Sequence, residues 1–468
     1  MRHRLGHALA ALTFAVCCTG CVKKTDDAGD PDEPQVEPTY AQVLVVGAGM
    51  AGLGAARTLH DGGHDVLVLE ALDRVGGRVA TMQSPVTGTT LEASAQYHAG
   101  PNNSSLTPII EEIGMPTEDF RWTHESWDND GTYNPVTPQN WDRFYQEATV
   151  RSRDYEDQPE VSLEAMIQEM DAEGLFHYLD NQREIDYCVA TLFEQEYCSD
   201  ASDMRAWSLW EGDDLYGVDE WFPDGMSAIP EFLAQGLEIR LNSVVSEIRY
   251  DGEGVALTTV GGDEYEGERV IVTVSLGVLK AGDIQFVPPL PSTHTDAIKR
   301  LGMGVMDKVW LIFPEVFWDP DVDFKGYLSE PAGQYSTWNY YGGNALLVWH
   351  AGTNAIELEF RPNEEIIDGA MDTLRVMYGD AIPDPTETVV ARFHPDAITG
   401  ATPRYDFSKG AYSYLPLGAT PDDRSAIATP VMDRVFFAGE HTDLANPALI
   451  QGAYDSGIRE AERIIGLQ

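Results

Sequence analysis

The chain has 468 residues, with 77 acids against 30 bases and a formal net charge of −47. That balance excludes nucleic acid as a partner, because every phosphate contact would be made against the protein's own field. A hydrophobic content of 43% with ten tryptophans excludes a disordered chain and suffices for two joined domains with ample cores. The negative field either concentrates cationic substrates or serves solubility alone.

Residues 1–20 read as a targeting segment rather than fold. Arg2 and Arg4 make a basic start, and Leu5 to Cys18 is apolar but short for a membrane span. Cys18-Thr19-Gly20-Cys21 is similar to a bacterial lipobox, which makes Cys21 a candidate lipid anchor; a plain signal peptide is the alternative. Residues 21–39, rich in Asp, Glu and Pro, read as a solvated tether. The expectation is an exported protein, in a bacterial periplasm or held as a membrane-anchored lipoprotein, with the cell surface as a further location. No transmembrane helix is expected in the mature chain. Cys188 and Cys198 either pair or stay separate thiols. They have no metal-ligand spacing with histidine, so no metal is expected.

Val43-Leu44-Val45-Val46 reads as a buried parallel strand, followed by Gly47-Ala48-Gly49-Met50-Ala51-Gly52 and a helical pattern through Leu53, Ala56 and Leu59. A second strand, Val66–Leu69, ends in Glu70. Strand, glycine turn, helix, strand and acid together make the dinucleotide fingerprint in its proper context. Gly47 permits the tight turn, Gly49 lets backbone approach a pyrophosphate, and Gly52 lets helix and strand pack closely. Glu70 is placed to bond a ribose, and its charge disfavours a 2′-phosphate. Arg74-Val75-Gly76-Gly77-Arg78 then offers a second close approach to a diphosphate, with charge-assisted bonds from the arginines.

Gly47 through Arg78 resembles the N-terminus of the FAD-dependent amine oxidases, the family of monoamine, polyamine and L-amino-acid oxidases. The resemblance continues over residues 41 to 468. It implies an α/β fold, in which a Rossmann-like FAD-binding domain (GR2-type) is interleaved with an α+β substrate-binding domain. The expected FAD domain comprises 40–120, 221–290 and 425–468; the substrate domain comprises 121–220 and 291–424. FAD contacts are expected from Gly47, Gly49, Met50, Ala51, Gly52, Glu70 and Ala71, and from Arg74, Gly77 and Arg78.

Further along, Leu91–Gly100 is similar to the family segment that lies along the flavin, adding Ala95 and Gln96. Tyr97 stands where the family has tryptophan. Ala99 takes a position where several polyamine oxidases carry a polar residue, and His98 is the neighbouring candidate for that substrate contact, with a packed histidine as the alternative. Between Trp207 and Trp221, aromatics alternate with Glu211, Asp213, Asp214, Asp219 and Glu220, a composition that suits either an ammonium ligand or a solvated acidic loop. Ile239–Ile248 looks like one strand whose Val245 main chain meets adenine.

Met303–Phe313 reads as a strand, and period two puts Lys308 on one face with Met306, Trp310 and Ile312. An ammonium among such neighbours should lose basicity. By resemblance Lys308 is the lysine that holds a water at the flavin and assists reoxidation by oxygen. Val389–Phe393 is similar to a family Thr-Arg-Trp segment and makes Phe393 a candidate substrate neighbour, before an insertion at 394–404. Gly410–Tyr414 resembles the motif whose aromatic flanks the substrate amine, so Tyr412 is the second catalytic candidate. Its usual tyrosine partner is Leu449, and Ala411 replaces the cysteine that anchors FAD covalently elsewhere, so FAD is expected to be non-covalent. Val435–Ala438 reads as a strand with Gly439 and Glu440 at its exit, and the resemblance implies that both contact FAD, Glu440 as the acid that bonds its hydroxyls. Leu449–Ile465 reads as a helix with free N–H groups at its start, and the resemblance implies that Leu449, Ile450, Gln451 and Ala453 there contact FAD.

The expected function is oxidation of a primary or secondary amine, a polyamine for preference, by hydride transfer to flavin with O2 reduced to H2O2. The alternatives are an L-amino-acid oxidase, for which Arg404 is the candidate carboxylate partner, and an FAD dehydrogenase or desaturase with a non-oxygen acceptor.

Overall fold

The computed structural model describes residues 38–393 and 407–467. The leader with Cys21, almost all of the acidic tether, and the 394–404 insertion with Arg404 lie outside the described residues.

The strand Thr39–Val46 pairs in parallel with Val66–Leu69 on one side and with Glu264–Val272 on the other, so that Val46 stands opposite both Leu69 and Val272. Val43 to Val46 are all buried. A strand covered on both faces needs apolar residues without alternation, which is the pattern its sequence shows. The helix Met50–Asp61 leaves directly from this strand and packs against the last helix, Ile450–Gly466. The approach is tight enough that a Cβ on Gly457 would lie 2.0 Å from the Ala51 carbonyl oxygen.

Among the described residues the sheet grows to eight strands, in the order Gln285–Val287, Val245–Tyr250, Val255–Thr259, Glu264–Val272, Thr39–Val46, Val66–Leu69, Glu238–Arg240. Val435–Phe437 continues beside the end of Glu264–Val272, in parallel. The expected single strand over Ile239–Ile248 is corrected here. Glu238–Arg240 pairs with Val66–Leu69 at one sheet edge, while Val245–Tyr250 pairs antiparallel with Val255–Thr259 at the other side. The chain between them passes through Asn242 at φ 56, a left-handed conformation that asparagine tolerates. Val245 therefore opens a strand instead of sitting inside one.

A second sheet of six strands runs Glu387–Arg392, Met306–Ile312, Ala345–Ala351, Thr337–Asn339, Phe324–Leu328, His124–Asp128. Met306, Trp310 and Ile312 join the apolar cluster on one face of the lysine strand; Val309 and Leu311 join the cluster on the other. Alternation thus serves two apolar layers, each side chain contributing about 1.5–3 kcal/mol on full burial. Beside this sheet, helices Pro138–Ser152, Leu163–Ala172 and Gln182–Val189 share a core that includes Phe144, Phe176 and Phe193. The third helix widens into a π turn at Ala190–Glu194 and ends at Cys198, φ 53. Cys188 and Cys198 are both buried free thiols, which settles the pairing question against a disulfide between them.

Candidate active site

Residues from both sheets enclose a cavity of about 590 Å³. At one end the wall is the glycine turn. Gly47 has φ +107; a Cβ on Gly49 would meet nothing within 4 Å, whereas one on Gly52 would lie 1.9 Å from the Gly47 carbonyl oxygen. The first glycine turns the chain, the second leaves an open face to the cavity, and the third lets the helix close on the turn. The helices starting at Met50 and Ile450 both lack a side-chain cap, and both first turns line the cavity. Their free N–H groups present positive potential to whatever lies there.

Glu70 follows the second strand and lines the same end. Its Oε2 accepts from Ala48 N at 2.6 Å and its Oε1 from Leu72 N at 2.8 Å. Burial raises its pKa, against the pull of those two bonds. Ala71, Gly77, Arg78, Ala95, Gln96 and Val245 complete this part of the wall. Arg74 and Gly52 stand behind it. Arg74 donates to the carbonyls of Val75 and Gly77, so it shapes the glycine loop from outside.

Arg78 reaches across to Glu440, 2.9 Å away, and to the Ala411 carbonyl at 2.6 Å. Burial alone would raise the Glu440 carboxyl; Arg78, His441 and the Ser413 hydroxyl outweigh it and hold the group at about 2. Ser413 in turn accepts from Arg424, whose guanidinium makes a two-pronged ion pair with Glu211 at 2.6 and 2.9 Å. This buried Glu440–Ser413–Arg424–Glu211 chain joins three distant sequence segments, and only Glu440 of it was expected as a site residue.

At the other end stands Lys308, 1% exposed. Its Nζ donates to the Ser94 carbonyl and to Gln96 Oε1 at 2.8 Å, and lies 4.9 Å from the Trp349 ring centroid. Burial pulls its pKa down, and Glu92 only partly restores it. A neutral amine has two N–H bonds and one lone pair, so two carbonyl-type acceptors satisfy it and leave the lone pair free. Tyr412 lines the cavity and donates its hydroxyl to the Glu196 main-chain oxygen at 2.8 Å. Tyr97 and Trp349 are stacked with centroids 6.3 Å apart and extend the aromatic wall. Phe393, Leu449, Gln451, Ala453 and Gly439 also line it. Gln451 Nε2 is tied to the Ala99 carbonyl at 3.0 Å.

His98 is not in the wall. It is fully buried, its Nδ1 3.5 Å from Glu220 Oε2, and burial lowers its pKa. The acids of 207–221 also disperse: Glu211 pairs with Arg424, and Asp219 accepts from Trp122 Nε1 at 3.0 Å. Trp349 and Glu196 enter the wall without any local motif to announce them.

Residues 50–465 match the family model described as flavin containing amine oxidoreductase. The chain is 34% identical over 456 residues to lysine-specific histone demethylase 1 homolog 3 of Oryza sativa subsp. japonica, a match covering 92% of this chain and 54% of that protein. It is 33% identical over 459 residues to lysine-specific histone demethylase 1 homolog 1 of Arabidopsis thaliana, covering 92% and 52%. The chain thus spans about half the length of these curated relatives. Its fold is similar to wild-type putrescine oxidase solved with putrescine, at TM-score 0.74 and 20% identity, covering 92% of this chain and 100% of that one. The expected bacterial export is corrected by the plant relatives, whose names tie them to histones and point away from a secreted bacterial protein. Among the described residues no helix is long and apolar enough to cross a membrane.

Proposed function

Since the chain belongs to the flavin-containing amine oxidoreductases, we propose that it oxidises a primary or secondary amine, a polyamine for preference, and passes the electrons to O2 as H2O2. FAD is the cofactor, and the cavity chemistry fits it: two uncapped helix N-termini and the open face of Gly49 suit a pyrophosphate, and the Glu70 carboxylate suits ribose hydroxyls. Ala411 lines the cavity and offers no nucleophile, which supports non-covalent binding. FAD, when bound, supplies a two-electron acceptor for the α C–H bond of the amine.

The chain's own residues do the rest. The aromatic planes of Tyr412, Trp349 and Tyr97 confine an uncharged amine and keep bulk water away. Lys308, held by Ser94 and Gln96 with its basicity lowered, can hold or release a proton at Nζ near neutral pH. That buried, hydrogen-bonded lysine inside the cavity is the observation that carries the reading.

An amino acid substrate would need a cation for its carboxylate. Among the described residues Arg78 and Lys308 are the cations of the wall, and both are already bonded, Arg78 to Glu440 and Lys308 to two oxygens. Amines without a carboxylate therefore suit the wall better. The test is peroxide release by the FAD-loaded protein from spermine, spermidine, acetylated polyamines, simple monoamines and L-amino acids. Turnover of polyamines supports the reading; turnover of amino acids alone overturns it. Bound flavin that amines reduce but oxygen does not reoxidise would assign a different acceptor.

A further inference from the structure

Lys308, Trp349 and Phe393 all line the cavity. Each has a buried polar residue beside it in the chain: Asp307 before Lys308, His350 after Trp349 and Arg392 before Phe393. Strand register sets Asp307 directly opposite both Arg392 and His350. Opposite residues share a face of a sheet and successive residues alternate between faces. Arg392, Asp307 and His350 therefore form one row across three strands, on the back of the cavity wall, and none of the three lines the cavity itself.

The row is anchored at both ends. Arg392 donates Nη2 to the Arg361 carbonyl at 2.8 Å and to Asn363 Oδ1 at 2.6 Å, where helix Gly352–Glu359 gives way to helix Asn363–Tyr378. Glu359, the last residue of the first helix, accepts the Phe393 main-chain N–H at 2.7 Å. At the other end the Tyr335 ring stands edge-on to His350, with centroids 4.7 Å apart and planes at 89°. In the middle, burial pushes the Asp307 carboxyl well above its ordinary range, and the Arg392 charge opposes that rise without cancelling it.

Stability does not explain the row. The same face of the lysine strand continues as Val309 and Leu311. Apolar side chains in the row would avoid the desolvation of an acid, a guanidinium and an imidazole. Neither Asp307 carboxylate oxygen and neither His350 ring nitrogen has a hydrogen-bond partner among the described residues, which adds to that cost. What buried polar groups can supply instead is one fixed arrangement where apolar ones slide. We propose that Asp307, Arg392 and His350 are positioning residues, a row that fixes three strands from behind so that Lys308, Trp349 and Phe393 keep their places in the wall. The inference rests on the amine-oxidase reading of that wall.

The test replaces the row's acid and base by apolar side chains of similar size, Asp307→Leu with Arg392→Met, which removes both charges and strands neither. Asp307→Asn is the milder variant. The first readout is flavin fluorescence of the FAD-loaded protein followed against pH, which needs no turnover. Burial is the main cause of the lowered Lys308 pKa, against the opposing charges of Glu92 and Cys198 that face it. On the back, Arg392 and Tyr335 are the groups coupled by charge to Asp307. A strand freed to shift admits water to Lys308 Nζ, so its pKa moves back up.

Wild type should show a transition below the ordinary lysine range that Lys308→Met removes. The double variant should keep its Tm and its flavin, move that transition up by about one pH unit, and lose about tenfold in kcat with a smaller change in KM. Asp307→Asn should fall between the two. A flavin-loaded double variant with the transition and kcat of wild type overturns the proposal, as does a kcat loss that only tracks lost flavin. Where the double variant fails to fold, Asp307→Asn decides by the same two readings. A transition that moves in a protein releasing no peroxide from any amine would keep the positioning row and reject the oxidase reading.

Discussion

The two ends of the cavity are built on different principles. The glycine-turn end is made of main chain: Gly47, Gly49 and the first turns of two helices offer N–H groups, and few side chains are required. The lysine end is made of side chains brought from far apart, with Lys308, Trp349, Tyr412 and Glu196 meeting from four segments. Main-chain recognition leaves a local signature because it demands glycine at set spacings. Side-chain recognition leaves almost none, because any segment that folds into place can supply an aromatic or an acid.

The sharpest way to break the first end is Gly52→Val. The new Cβ would stand 1.9 Å from the Gly47 carbonyl oxygen, a main-chain atom that cannot swing aside. Bound flavin should be lost and stability should fall by about 3 kcal/mol, read as flavin absorbance per chain and as Tm. Full flavin content would mean that close helix–strand packing is dispensable.

Glu440 links the two ends, and its removal tests how far they depend on each other. Its folded pKa of about 2 lies below the 4.5 of a free glutamate. The sign follows: its stabilisation is fully present above about pH 4.5 and is lost as pH falls toward about 2. Glu440→Gln should destabilise by about 3 kcal/mol at neutral pH, with the gap from wild type narrowing across that acid window. Urea melts at several pH values would show it; a constant gap would deny the linkage.

Lys308→Met attacks the other end alone. Flavin should remain bound while kcat falls by about 10²-fold. Because burial lowers the Lys308 pKa, the amine is neutral above that lowered value and protonated below it. Wild-type activity should therefore rise with pH through this region, and the variant should lose that limb. A kcat profile indistinguishable from wild type would remove Lys308 from the chemistry.

The smallest effect belongs to a surface pair that serves neither end. Arg143→Ala breaks an exposed i,i+4 contact with Glu147 of 2.8 Å and should change stability by less than about 0.5 kcal/mol. A larger loss in Tm would mean that its stacking on Tyr178, 3.9 Å away, matters more than the charge.

By itself, the order of residues determined the parallel strands around Thr39–Val46, the glycine turn, Glu70, the lysine strand with its two apolar faces, and the last helix. These depend on local backbone demands and on simple periodicity, which are written into neighbouring residues. Tertiary structure alone decided that Ile239–Ile248 splits between opposite sides of one sheet, that Glu211 is spent on Arg424, that His98 is packed away against Glu220, and that Glu196 lines the cavity. Whether an acid is paired, buried or free depends on which distant cation reaches it, and one residue of helix register, as at the π turn, changes the answer.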